Sequence, residues 1–292
     1  MDTNLRQSTL KASVEGIVSE VALEKGKSKN DPNVDNISGT ITVRTDKDSS
    51  NFIRFMVNVN AKTKNGDDNK TYPGIETVMN EYKSIAAVGE DEADRVRVRG
   101  DINLFRGQDG RDQVGYKSNF FTRVTHDYEP HAEFEVETYI SSITPEMDRD
   151  GDETGRMVVK GWSVTYQGVE PITMIAPKEL ADAVESTFDV GQTALFYGDI
   201  INSRVEKVTE IPVAIGKPKQ RVETTYKNEL IITGASEPYE EGVSKEAPYS
   251  AESIKLAIQE RENRIAEAAN KAEKPPFDNK PSGASKGRTL NW

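Results

Sequence analysis

Three arginines alternate with valines in Arg95-Val96-Arg97-Val98-Arg99, and the run continues as Gly100-Asp101-Ile102-Asn103-Leu104-Phe105. Period-two alternation puts the guanidiniums on one strand face and the valines on the other. Three like charges on one face repel unless an anion lies across them. By the same alternation Phe52, Arg54, Phe105, Lys117, Phe121 and Arg123 leave the side that Ile53, Phe55, Val96, Val98 and Phe120 occupy. Arg44, Lys62 and Lys64 add to the basic set. Cations neutralise phosphates, and flat rings offer stacking faces worth about 1–3 kcal/mol per base. The candidate nucleic-acid-binding residues are therefore Arg44, Phe52, Arg54, Lys62, Lys64, Arg97, Arg99, Phe105, Lys117, Phe121 and Arg123. The competing reading is an ordinary solvated face. Aromatics interleaved with arginines favour binding over it.

Other chemistry is poorly represented. Asp148-Arg149-Asp150-Gly151-Asp152-Glu153 departs from a calcium loop, which needs Gly where Glu153 stands and Glu where Val159 stands. It reads as a solvated hairpin. His126 and His131 are the only histidines and make a poor metal site. Arg99-Gly100-Asp101 lies inside a strand. No phosphate-binding Gly-Lys-Ser/Thr loop, Gly-x-Ser-x-Gly or cysteine nucleophile is present. The expectation is a binding protein, not an enzyme, with no cofactor and no metal.

The elements that position these residues recur. Ala194-Leu195-Phe196-Tyr197-Gly198-Asp199-Ile200 repeats the Gly-Asp-Ile punctuation of the arginine stretch. Val14 to Val21 parallels Val136 to Ile143, Gly39 to Arg44 parallels Gly155 to Lys160, and Tyr116 to Thr122 parallels Tyr226 to Ile232. Four pairs in one order predict a duplicated unit of common domain size. In the first unit, strands are expected at 14–23, 38–45, 51–59, 95–105 and 116–125, with a helix at 74–88 on the spacing of Ile75, Val78, Met79, Tyr82 and Ile85. The second unit reads as strands at 132–143, 155–166, 169–175, 193–203 and 226–234, a helix at 177–188, and an insertion at 205–220. Strand, strand, strand, helix, strand, strand is the order of the OB-fold, a five-stranded Greek-key barrel. The fold class is all-β dominated: tandem OB-fold barrels, each with one helix, plus a C-terminal helix and flexible tail.

Val96-x-Val98-x-Gly100-x-Ile102, the charged hairpin after it and Tyr116 to Val124 resemble strands four and five of bacterial-type single-stranded DNA-binding proteins. Val14-Glu15-Gly16 resembles their first strand. The likeness spans about half of the first unit, and the tandem arrangement is closer to phage-encoded versions. The resemblance implies coating of single-stranded DNA in replication or recombination. Those proteins end in an acidic tip, whereas this chain closes on Lys286-Gly287-Arg288-Thr289-Leu290-Asn291-Trp292.

Charge divides the chain. Residues 1–125 carry 19 Lys+Arg against 19 Asp+Glu, and residues 126–236 carry 10 against 20. The two units share a plan but differ in electrostatic character, so different partners are expected. We assign 1–128 to a DNA-binding barrel, 129–236 to an acidic barrel where Trp162 and Tyr166 pack or meet proteins, and 237–292 to a helix from Ala251 to about Ala272 and a Pro/Gly-rich tail. Replication or recombination proteins are the expected partners of the second unit and the tail. The 292 residues contain no cysteine, no apolar run long enough for a membrane span and no signal-peptide core at Met1 to Arg6. A cytoplasmic setting is expected, the host's for a phage protein. Two other functions share this fold: a virion structural or assembly docking protein, and a nuclease or annealing accessory.

Overall fold

The computed structural model describes residues 5–45, 51–211, 219–244 and 246–272. Alternation becomes strand as the sequence predicts. In β3 (Phe52–Asn60), Ile53, Phe55, Val57 and Val59 are buried while Arg54, Met56 and Asn58 face solvent. The other strands of the first unit are β1 (Leu10–Lys27), β2 (Asp35–Arg44), β4 (Arg95–Arg106), β5 (Asp112–Lys117) and β6 (Phe121–Arg123). The sheet closes as β1-β2-β3-β5-β4-β1, with β3 and β5 parallel at Phe55–Tyr116. The second unit holds β7 (His131–Met147), β8 (Glu153–Thr165), β9 (Gly168–Ala176), β10 (Thr193–Ile211) and β11 (Lys219–Ala235). It closes likewise, β9 and β11 being parallel at Ile175–Ile231. The chain is a tandem OB-fold. The closing contacts are short: two residue pairs join β3 to β5, and one joins β9 to β11.

One element differs from expectation. The helix predicted at 74–88 is α1 (Tyr72–Glu81) and a single turn, α2 (Ile85–Val88). Tyr82 turns extended between them, its hydroxyl donating to the Phe121 carbonyl at 3.1 Å. The insertion expected at 205–220, read as a hairpin, is one: β10 and β11 continue into it, paired out to Ile211–Lys219. α3 (Lys178–Thr187) lies where the second helix was expected, burying Ala181 and Val184. The tail at 273–292 lies outside the described residues.

The barrels share one apolar core. Phe55, Phe134 and Phe196 are fully buried, each side chain contributing about 1.5–3 kcal/mol by transfer from water. They join through antiparallel β1 and β7. Ala12 pairs with Phe134; Ala12 also faces Gly100 of β4, and Phe134 faces Gly198 of β10. That row is a local two-fold: Ala12 corresponds to Phe134, and Gly100 to Gly198. A Cβ on Gly100 would stand 2.6 Å from the Lys117 carbonyl oxygen, and one on Gly198 2.0 Å from that of Ile231. Both glycines let a neighbouring strand's backbone pass close, which accounts for the repeated Gly-Asp-Ile.

Polar pins secure the join. Glu15, 1% exposed, accepts from Arg97 Nε at 2.6 Å and from the Glu129 N–H at 2.8 Å. Burial pushes its carboxyl up, but those donors outweigh burial and hold it below the ordinary value. Its counterpart Glu137, equally buried, accepts from both Arg6 Nη atoms and from the Thr9 N–H at 3.1 Å. Asn51 reaches β10, donating to the Ile200 carbonyl at 2.9 Å and accepting from the Asn202 N–H at 2.6 Å. α4 (Ala251–Ala272) packs Ile254 and Ala257 on Val164 and Val169 of the second unit and on Tyr249, which precedes the helix. Its buried Arg261 pairs with Glu170 of β9 at 2.7 Å and with Asp112 of β5, and so touches both barrels.

Candidate nucleic-acid interface

The outer face of the first barrel is built by parity. Along β4, Arg97, Arg99, Asp101, Asn103 and Phe105 point outward. Pairing sets Asp101 beside Lys117, Lys117 beside Met56, and Lys11 beside Asp101. Around Gly100, the side chains of Lys11, Met56, Arg99, Asp101, Lys117 and Phe120 line a depression of about 690 Å³. Arg99 and Lys117 are exposed and carry no ion pair among the described residues. Lys11 pairs with Asp101 at 2.6 Å, both groups half open to water. Phe120 is 66% exposed, and Met56 and Phe105 also show their apolar surfaces. Gly115 lies between the Phe105 ring and the Met56 methyl, so the two side chains flank a flat stretch of bare backbone.

Of the predicted residues, the structure brings Arg99, Phe105 and Lys117 to this face. Arg54 is exposed two residues along β3 from Met56, and Phe52 is half-buried beyond it. Lys62 is tied to Asp68 at 2.7 Å, and Lys64 shares its exposed loop; neither lines the depression.

Four predicted residues are corrected. Arg44 is 8% exposed and pairs with Glu90, because the loop before β4 folds over the end of β2. Arg97 is held by Glu15, so the anion expected across the arginines is partly the protein's own. Arg95 lies over the Tyr128 ring, 5.0 Å from its centroid. The linker before β7 thus covers this end of the arginine strand. Arg123 pairs with Asp94 at 3.1 Å and stacks over Tyr82 at 4.3 Å. Phe121 packs edge-on against core Phe55, with centroids 6.1 Å apart, and Phe120 is the exposed ring instead. The reason is a break between β5 and β6. Ser118 Oγ donates to the Arg99 carbonyl at 2.7 Å and accepts from the Phe120 N–H at 2.9 Å. The alternation does not carry across that turn.

Sequence reasoning missed Lys11, Met56 and Phe120 as site residues. Lys11 lies in Leu10-x-Ala12-x-Val14, which alternates and begins β1.

Matched by register, the second barrel has Glu133, Tyr197 and Leu195 where the first has Lys11, Arg99 and Arg97. Ile231 stands where Lys117 does. None of these four matched positions carries a cation. Its Trp162 lies beneath α4, 5.8 Å from Arg261, while Tyr166 is 87% exposed. No group of three potential metal ligands occurs among the described residues, and no helix among them is long and apolar enough to cross a membrane.

The model of the family described as YorF matches residues 10–271. No curated protein matches the chain. Among solved structures, the wild-type single-stranded DNA binding protein from Thermus aquaticus is similar at 8% identity and a TM-score of 0.49, covering 82% of this chain and 98% of that one. A deletion mutant of that protein gives 10% identity and a TM-score of 0.48, covering 83% of this chain and 100% of that one. A replication protein A heterotrimer bound to ssDNA gives 10% identity and a TM-score of 0.20, covering 91% of this chain and 70% of that one.

Proposed function

The chain belongs to the YorF family, and we propose that it binds single-stranded DNA, without catalysis, on the outer face of its first barrel. The observation that carries this is the depression at Gly100. Arg99, Lys117 and Lys11 surround it, and Met56 and Phe120 expose apolar surface on its walls. Cations that track a backbone beside side chains on which bases stack are what sequence-tolerant strand binding requires. Unpaired bases can reach such a shelf, whereas a duplex keeps its bases stacked internally.

The division of labour follows from the matched positions. Residues 1–128 carry the strand, while 129–236, acidic and without a cation at those positions, serve protein contacts, as does 237–292. Coating of strands exposed in replication or recombination, in the cytoplasm of a phage-infected cell, is the setting we propose.

Fluorescence anisotropy with single-stranded DNA, RNA and duplex DNA of equal length tests the reading at several salt concentrations. We expect single strands to bind more tightly than duplex and affinity to fall steeply with salt. Salt-independent binding, or none, removes the reading and favours a docking protein.

A further inference from the structure

Cations and carboxylates are unevenly placed around Gly100, and this decides where a strand leaves the first barrel. Two further depressions open from the walls of the first. One, of about 460 Å³, runs over Ala12 and Phe134 toward the second barrel. It sets Lys11 and Arg99 against Glu133, Glu135 and Asp199. The other, of about 430 Å³, lies between Lys117, Phe105 and the turn joining β8 to β9. It sets Lys11 and Lys117 against Asp101 alone, among uncharged side chains such as Gln7, Thr165 and Gln167. Phosphates are repelled along the first route and accepted along the second.

At the far end of the second route stands Tyr166. A ring 87% exposed gains nothing from packing, yet its turn is firmly built. Thr165 Oγ1 donates to the Gly168 carbonyl at 2.9 Å and accepts from the Gln167 N–H at 3.2 Å. Arg264 of α4 donates to the Gln167 carbonyl and pairs with Glu170 at 3.7 Å. Gly168 has φ +122°, and a Cβ there would stand 3.2 Å from the Arg264 guanidinium. The backbone conformation thus favours glycine at this position.

We propose that a strand held by the first barrel continues onto this turn and stacks a base on Tyr166, so that the second barrel supplies a binding residue on a turn positioned by α4. The proposal rests on the first barrel's face being a single-strand site, as argued above.

The test uses the full chain and oligothymidylates of about 6 and about 20 nucleotides, the shorter within and the longer beyond the usual span of one OB barrel. Tyr166→Ala should weaken the longer oligomer roughly 5- to 150-fold, the range of one lost stack, with an unchanged salt slope and no effect on the shorter one. Tyr197→Ala, on the acidic route, should change neither. As a second readout, the emission of a Tyr166→Trp variant should respond to the longer oligomer and not to the shorter. If Tyr197→Ala weakens the longer oligomer and Tyr166→Ala does not, the strand takes the other route. The proposal then falls while the first-barrel site stands. It falls in the same way if the Tyr166→Trp emission ignores a longer oligomer that anisotropy shows to be bound. If the unmodified chain binds neither oligomer, the first-barrel site itself fails and the proposal falls with it.

Discussion

Arg97 and Arg99 lie two residues apart on one strand face, yet the structure gives them separate duties. Arg97 Nε is bonded at 2.6 Å to a buried carboxylate, while Arg99 has no ion pair among the described residues and lines the depression with Lys117. Counterion release on single strands gives roughly 0.7 of salt slope per neutralised phosphate. Arg99→Ala should lower the slope by about 0.7, and Arg99→Ala with Lys117→Ala by about 1.4. At 0.1 M salt the pair corresponds to a loss of about 25-fold in affinity. Arg97→Ala should leave the slope nearly unchanged and instead lower folding stability by about 1–2 kcal/mol. That is the lower end for a charged hydrogen bond, since Arg97 is itself half exposed. The assay is an anisotropy titration of one oligonucleotide at four or more salt concentrations, with urea unfolding of each variant in parallel. A slope change for Arg97→Ala equal to that for Arg99→Ala would refute the reasoning. Arg97 would then leave Glu15 to reach the strand.

Glu15 is held below its ordinary carboxyl value of 4.5, so its contribution is present above that pH and is lost as pH falls through its lowered folded-state value. Glu15→Gln should therefore flatten the acid limb of a melting-temperature profile recorded below about pH 4.5. Gly100→Ala and Gly198→Ala each drive a methyl into a neighbouring strand's backbone; urea unfolding should show losses of at least about 1–3 kcal/mol. Arg261→Ala strands the mostly buried Glu170 without its nearest cation and should cost about 3–5 kcal/mol. Hydrogen exchange should then rise first along α4.

The fold was legible because its signals are local. Alternation in β3 names its own inner face, and Gly-Asp-Ile recurs because both barrels need a glycine where one strand passes close to another. Parity also brought Arg99, Lys117 and Phe105 to one face. What escaped the sequence is non-local. Glu15 and Arg97 are far apart in the chain, and nothing in the arginine stretch says that a carboxylate in β1 already holds one guanidinium. Arg44 with Glu90 and Arg123 with Asp94 have the same character. Phe120 and Phe121 exchanged places because one serine turn resets the alternation. The zero net charge of residues 1–125 concealed the site, since a domain total says nothing of where Arg99 and Lys117 stand without an ion pair among the described residues.

The central claim is that an unpaired strand lies across the first barrel at Gly100. Photo-crosslinking of a bromodeoxyuridine-substituted oligonucleotide to the full chain, followed by peptide mapping, tests it most directly. Crosslinks should fall on the peptides carrying Phe105 and Phe120 and should diminish in the Arg99→Ala, Lys117→Ala double variant. Crosslinks confined to residues 273–292, or to the acidic wall at Glu133, Glu135 and Asp199, would contradict it.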